Sequence, residues 1–190
     1  MRAVTVGVMI LVALALQTSI ARFLTPGASV IDLVFVAVVY IALTAGPGVG
    51  LVAGALAGLA QDSLAATGVS TIAVGVGVVT SRSIVGIGGL AKTVVGFVAG
   101  VVGSQFIVAR PLPRALVFFT ATVAHAIIFV GLSEVLDPSY AQPSIGVMMS
   151  QAGANAVAGV LLFQIAELLP GLADRRRSMG KGMHINRRLD

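Results

Sequence analysis

The chain has 190 residues, of which 57% are hydrophobic and 10% charged, and its mean hydropathy is +1.05. A soluble domain carries about a quarter charged residues, so this composition excludes an ordinary water-soluble fold and indicates that lipid is the solvent. The absence of Cys excludes disulfides and thiolate metal sites. The pI near 10.8 does not indicate a nucleic-acid partner, because the basic residues stand at the ends of apolar runs and in the C-terminal tail.

Apolar runs near the length of a membrane-crossing helix predict an all-α integral membrane protein with about six transmembrane helices. The predicted spans are residues 3–23, 28–45, 49–66, 90–109, 115–136 and 145–169. They form one transmembrane domain over residues 1–170, followed by a basic cytoplasmic tail over residues 171–190 that we expect to be disordered. The first run also resembles a signal peptide, but it continues toward Ala21 and further spans follow, which favours an uncleaved helix.

The segment 67–89 does not fit this pattern. Its apolar core is too short to cross a membrane, and its glycines weaken helix formation. We interpret it as a loop or a re-entrant segment, and the sequence leaves open whether residues 67–80 span, re-enter or lie on the surface.

Lys and Arg are distributed unevenly between the two sides of the predicted bundle. With six spans, nine of them fall on one side, six of these in the tail, and two on the other. The excess of positive charge predicts a multi-pass protein with its N- and C-termini in the cytoplasm, and a seventh span would leave the same imbalance. Arg175, Arg176 and Arg177 abut the last span and form a lipid or topology anchor, for which a topology role is favoured over a specific lipid or protein site.

Two ladders of small residues, each with a charged group at one end, are the most informative pattern. The first runs through Gly46, Gly50, Gly54 and Gly58 to Asp62, and the second runs from Lys92 through Gly96 and Gly100 to Ser104. Small residues at every fourth position let helices approach closely in a membrane. We therefore predict that the third and fourth spans pack antiparallel and that Asp62 pairs with Lys92, with Gln61 adding a hydrogen bond. In the alternative, each charge reaches the membrane surface separately.

The segment from Gly86 to Thr93 also resembles a phosphate-binding loop. It has the Gly, Lys and Thr of that motif, but Ala91 replaces the last Gly and no strand precedes it. Because the motif needs a strand, a loop and a helix in that order, the sequence does not indicate a nucleotide site.

Several polar residues interrupt the apolar runs and are candidates for a pocket or for contacts between helices. His125 lies within the fifth span, and Gln151 and Asn155 lie one turn apart in the sixth. Asp32 suits the N-terminus of the second helix, and Glu167 is expected at the cytoplasmic interface. No catalytic or metal-binding motif is present, so neither a cofactor nor a metal is expected.

The two ladder segments carry a resemblance to a known family. The run from Gly46 to Asp62, followed by the run from Gly88 to Gly100, resembles MreD, the integral membrane rod shape-determining protein of bacteria. The resemblance covers most of the chain and implies a six-helix fold similar to the substrate-binding S components of energy-coupling-factor vitamin transporters. It also implies a non-enzymatic role in the inner membrane, together with MreC, the MreB filament and peptidoglycan synthases.

Two functions therefore stand as hypotheses. The first is a scaffold of the cell-elongation complex (elongasome) that binds an MreC-like partner, acts in cell shape and lateral peptidoglycan synthesis, and is not an enzyme. The second is a vitamin-like small-molecule binding subunit of a membrane transporter, with a pocket lined by Lys92, His125, Gln151 and Asn155.

Overall fold

The computed structural model describes residues 3–23, 31–66, 86–105, 110–136 and 143–185. Regular structure in these residues is entirely helical, as the apolar runs predict. The helices are α1 (Ala3–Phe23), α2 (Leu33–Ala45), α3 (Pro47–Ala66), α4 (Ile87–Gln105), α5 (Pro111–Leu136) and α6 (Ile145–Ile185).

Several helix boundaries differ from the predicted ones. α4 begins at Ile87, so residues 87–89, which were predicted to be part of a loop, are its first turn, while residues 67–85 lie outside the described part of the chain. α5 begins four residues early at Pro111, because proline is favourable at the first position of a helix. The prediction of a disordered tail is wrong as far as Ile185, where α6 ends. A polar composition indicates that a segment is in water, and such a segment can still be helical.

α2 occupies the centre of the bundle and packs against each of the other five helices. It is short, with 13 residues, and it is apolar on every side. Each residue from Val34 to Val39 is buried, as are Ile41 and Ala42. A helix that is hydrophobic all round is expected in the interior of a bundle, and the position of α2 follows from its sequence.

Two hydrophobic clusters share this central helix. On one side, Ile10 of α1 and Ala53 of α3 pack with Val38. On the other, Phe118 of α5 and Phe163 of α6 belong to a cluster that also includes residues of α2 and α4.

α3 and α4 lie in backbone contact along the predicted glycine ladders. A Cβ added at Gly54 would overlap the carbonyl oxygen of Lys92, one at Gly50 that of Gly96, and one at Gly58 the backbone of Gly89. Gly100 lies in the same way against Pro47. Only glycine leaves room for this approach, so the ladders set the distance between the two helices.

The ends of the two ladders differ from the prediction. Gly46 lies between α2 and α3 with a φ of 91°, so its main role is in the turn, where glycine has no steric penalty. At the far end of α4 it is Gly103 that lies against the backbone of Leu43, whereas Ser104 is exposed and donates to the carbonyl of Val101. Leu43 belongs to α2, so this last glycine contact of α4 is with the central helix and not with α3.

Three of the described helices are long and apolar enough to cross a membrane. They are Ile87–Gln105, Pro111–Leu136 and residues Ile145–Leu168 of α6. Shorter apolar helices lie at Ala3–Ser19 and Leu33–Ala45. The structure thus gives an all-helical bundle of membrane character.

Candidate functional site

Polar side chains from five helices meet at the N-terminus of α2. Asp32 is the N-cap residue, and its Oδ1 accepts from the backbone N–H of Phe35 at 2.9 Å. Gln17 of α1 accepts from the N–H of Leu33 at 2.8 Å, and Asn155 of α6 accepts from the N–H of Asp32 at 2.9 Å. The first N–H groups of a helix have no partner within it, so side chains of α1 and α6 satisfy this end of the central helix. The predicted place of Asp32 is confirmed.

Lys92 of α4 is the cation of this site. Its Nζ lies 3.2 Å from Oδ2 of Asp32, and only 4% of Lys92 and 9% of Asp32 is exposed. The ammonium also lies 6.0 Å from the centre of the Phe35 ring. Burying a charged group in an apolar bundle costs free energy unless the group is paired, and here each charge neutralises the other.

The predicted pairing of Asp62 with Lys92 therefore differs from the structure, in which Asp32 is the partner. The glycine contacts give the reason, because they set the register of α3 against α4. Lys92 lies opposite Gly54, whereas Asp62 lies two turns further along α3, at the start of α4. The predicted antiparallel direction is confirmed, but a four-residue repeat does not determine which residues of the two helices lie opposite each other.

Asp62 caps α4 instead. Its Oδ2 accepts from the backbone N–H of Gly86 at 2.8 Å and of Gly89 at 3.1 Å. Gly86 has a φ of 110°, a conformation that side chains disfavour, and a Cβ at Gly88 would overlap the Asp62 carboxylate. The segment that resembles a phosphate-binding loop thus already binds an anion, the carboxylate of its own chain.

Asn155 links α6 to α5 as well as to α2. Its amide donates to Oγ1 of Thr122 at 3.4 Å, and that hydroxyl donates to the carbonyl of Phe118 at 2.8 Å. Asn155 is fully buried and Thr122 is 2% exposed. The predicted polar contact between helices is present at Asn155. Its partner Thr122 could not be predicted, because threonine is common in apolar helices.

His125 lies beside this network, between two aromatic rings. Its ring centre is 4.8 Å from that of Phe35 and 6.2 Å from that of Phe129, and Nε2 is buried without a hydrogen-bond partner in the described part of the chain. The structure therefore brings together three of the predicted polar residues, Lys92, His125 and Asn155.

The other two predicted polar residues stand apart from this network. Gln61 is 3% exposed, and its Oε1 has no hydrogen-bond partner among the described residues. Gln151 is half-buried one turn from Asn155. Among the described residues, no hydrogen bond from either glutamine to a neighbouring helix is present.

A second ion pair lies at the other end of the bundle. Arg114 of α5 donates to Oε1 of Glu167 of α6, and its guanidinium lies 4.4 Å from the centre of the Phe163 ring. Arg114 is buried, while 59% of the Glu167 side chain is exposed. The side chains of Arg175, Arg176 and Arg177 lie outside the described residues.

These features define the class of protein: a helical bundle of membrane character whose central helix is held by buried polar contacts. The described residues contain no group of three or more His, Cys, Asp or Glu side chains that could hold a metal ion. No family model, no curated protein and no solved structure matches the chain.

Proposed function

We propose that this chain is a non-enzymatic, multi-pass scaffold of the bacterial inner membrane, of the MreD type, which binds an MreC-like partner in the cell-elongation complex. In this proposal all six helices cross the membrane, both termini are cytoplasmic, and the fold is similar to that of the S components. The MreB filament and peptidoglycan synthases are the further partners.

The proposal rests on the position in the structure of the two segments that resemble MreD. The two segments that resemble MreD are the ones that pack α3 against α4, through Gly50, Gly54 and Gly96. Their sequence pattern therefore has a structural purpose, the rigid contact of two helices, and needs no reactive group. A rigid pair of this kind suits a protein that presents a fixed surface to a partner's membrane helix.

Depletion of the protein in a rod-shaped bacterial host tests the proposal. We expect the cells to lose their rod shape and an MreC-like protein to co-purify with the tagged chain from native membranes. A variant with Gly54→Leu, which separates α3 from α4, is expected to lose the partner, whereas Gly131→Leu, where a side chain meets no neighbour, keeps it.

Rod-shaped cells after depletion, together with no MreC-like protein in the purified sample, would overturn the scaffold function. Recovery of the ATPase subunits of a transporter in place of an MreC-like protein would favour the alternative, a small-molecule binding subunit.

A further inference from the structure

α6 extends well beyond the part of it that is apolar enough to cross a membrane. That part ends at Leu168, whereas the helix itself ends at Ile185. We call residues 172–185 the distal segment of α6. The segment begins about 6 Å beyond Leu168 along the helix. Because the polar layer on each side of a bilayer is about 5–8 Å thick, the distal segment begins where lipid headgroups meet water.

The two helices that pack against α6 among the described residues, α2 and α5, both end before the distal segment begins. Arg114 meets Glu167, so the start of α5 at Pro111 is about level with residue 170 of α6. The ring centres of Tyr40 and Phe163 lie 4.7 Å apart, and α2 runs parallel to α6, so α2 ends about level with residue 168. No described helix therefore supports the distal segment from the side.

The sequence of the distal segment does not by itself explain a helix in water. A helix of about 14 residues on its own is marginal even when it is rich in alanine. This segment includes Gly180 and Gly182, and glycine in a helix interior weakens the helix further. A contact outside the described chain is therefore expected to hold the segment in its helical form.

The helical period places the apolar residues of the distal segment on one face. At 3.6 residues per turn, Met179 and Met183 each lie within about 20° of Leu172 around the helix axis. Arg175 and Arg176 fall on either side of this apolar stripe, at about 60° and 40° from it. An apolar stripe with basic residues beside it is the pattern of a helix that lies in the interface of a membrane.

The charge of the distal segment indicates which membrane surface suits it. The segment has four basic residues and one acidic residue, which gives a formal charge of +3. Basic segments next to a membrane helix are attracted to anionic lipids. Pro170 gives α6 a place to bend toward the surface, because it has no N–H to donate to the carbonyl of Ala166.

We propose that α6 bends at Pro170 and that its distal segment lies on the membrane surface, where it folds as a helix on anionic lipid headgroups. The apolar stripe enters the interface, and Arg175 and Arg176 contact lipid phosphates. The proposal goes beyond the scaffold function and does not depend on it. It also differs from a role in topology, which ends once the helices are inserted.

Hydrogen–deuterium exchange of the full-length chain in two kinds of nanodisc tests the proposal. One kind contains phosphatidylcholine alone, and the other also contains the anionic lipid phosphatidylglycerol. We expect exchange in the distal segment to be about tenfold slower in the anionic nanodiscs, since each basic residue near an anionic surface adds to the attraction. Exchange in α5 should be the same in both.

Two pairs of substitutions that remove the same charge test the orientation of the helix. Arg175→Gln with Arg176→Gln removes the residues beside the apolar stripe and is expected to abolish most of the protection. Arg177→Gln with Lys181→Gln is the matched control, because these residues lie at about 140° and 180° from the stripe. Any effect of charge on insertion is the same for both pairs.

A second comparison tests the apolar stripe itself. Met179→Gln places an amide on the stripe and is expected to weaken the protection, whereas Ser178→Gln changes the polar side and should keep it. These substitutions lie outside the apolar part of α6, so the bundle is expected to fold in each variant.

Three results would overturn the proposal. The first is exchange at the same rate in both kinds of nanodisc. The second is an equal loss of protection for the two pairs, which would show that charge acts without a fixed orientation. The third is exchange that is fast in both nanodiscs and slow only in native membranes, which would indicate an acidic protein as the partner. Each of these leaves the scaffold function standing.

Discussion

Lys92 and Asp32 connect α4 to the first turn of α2 through a buried contact of 3.2 Å, and Asp62, which also follows a glycine ladder, is not part of it. Asp32 has two roles at once, because one carboxylate oxygen caps α2 and the other meets the ammonium. Loss of either partner would leave a buried charge alone.

We therefore expect Asp32→Asn and Lys92→Met each to lower the free energy of unfolding by about 3–5 kcal/mol, the usual cost of breaking a buried ion pair. Asparagine remains a good N-cap, so the Asp32 variant isolates the loss of charge. The double variant, which has no charge at this site, is expected to recover more than about 1 kcal/mol of the summed loss. Unfolding by SDS titration in mixed micelles, followed by circular dichroism, measures these values.

The same cycle with Asp62→Asn is the control. Because Asp62 and Lys92 make no contact in the register set by the glycines, their losses should add to within about 0.5 kcal/mol. A larger coupling for Asp62 than for Asp32 would show that the register of α3 against α4 is wrong.

The glycine contacts predict a sharp contrast between positions of the same residue type. Gly54→Ala places a methyl group on the carbonyl of Lys92, which cannot move without separating two helices, so we expect a loss of about 2 kcal/mol or more. Gly131→Ala meets nothing, and alanine favours the helix by about 1 kcal/mol, so this variant should be neutral or more stable. The SDS titration compares the two, and equal effects would contradict the backbone contact.

The capping role of Asp62 predicts a local effect. Asp62→Ala removes the acceptor for two N–H groups at the start of α4, and loss of a cap costs about 0.5–2 kcal/mol. Hydrogen–deuterium exchange should become faster in the peptide from Gly86 to Thr93 and stay unchanged in α5. Ser63→Ala serves as control, because the Ser63 hydroxyl donates to the carbonyl of Leu59 in its own helix. Exchange that is faster throughout the bundle would indicate a global role instead.

Much of this architecture could be predicted from the sequence, and the limits have physical causes. The apolar runs predicted the helices. The spacing of Gly50, Gly54 and Gly96 predicted which two helices, α3 and α4, pack most closely. The partner of Lys92 could not be predicted in the same way. A lysine side chain reaches about 6 Å from its backbone, so it can meet any neighbouring helix, and the central place of α2 is a property of the whole bundle.

The uncharged polar residues that meet near the N-terminus of α2 were the hardest to predict. Gln17 is followed by Thr18 and Ser19, and Thr122 is one of two threonines in its apolar run, so neither residue is singled out by a helical period. Asn155 was identified because Gln151 lies one turn away, yet only Asn155 reaches α2. A sequence pattern can thus mark a helix face as polar without stating which residue makes the contact.

Asn155 is the one residue of α6 with hydrogen bonds to both α2 and α5 among the described side chains. Asn155→Leu keeps the volume but leaves the N–H of Asp32 without an acceptor, so we expect a loss of about 1–3 kcal/mol. Thr122→Val should cost less, about 0.6 kcal/mol, the average for a hydrogen bond between membrane helices. The SDS titration ranks the two variants, and the reverse order would show that the contact of Asn155 with α2 is not made.

The second ion pair predicts an asymmetric response to mutation. Glu167 is largely exposed, and exposed ion pairs contribute little to stability, so Glu167→Gln should leave the free energy of unfolding almost unchanged. Arg114 is buried and lies over the Phe163 ring, so Arg114→Ala loses packing and a cation–π contact together, at a cost of about 2 kcal/mol. Arg114→Lys keeps the charge but not the planar group that lies on the ring, and it should recover less than half of that loss.

Thermal unfolding at low and high salt separates the contributions of the two residues, because added salt screens the Glu167 contact and leaves the buried stacking in place. Equal losses for Glu167→Gln and Arg114→Ala, both removed by salt, would contradict a packing role for Arg114.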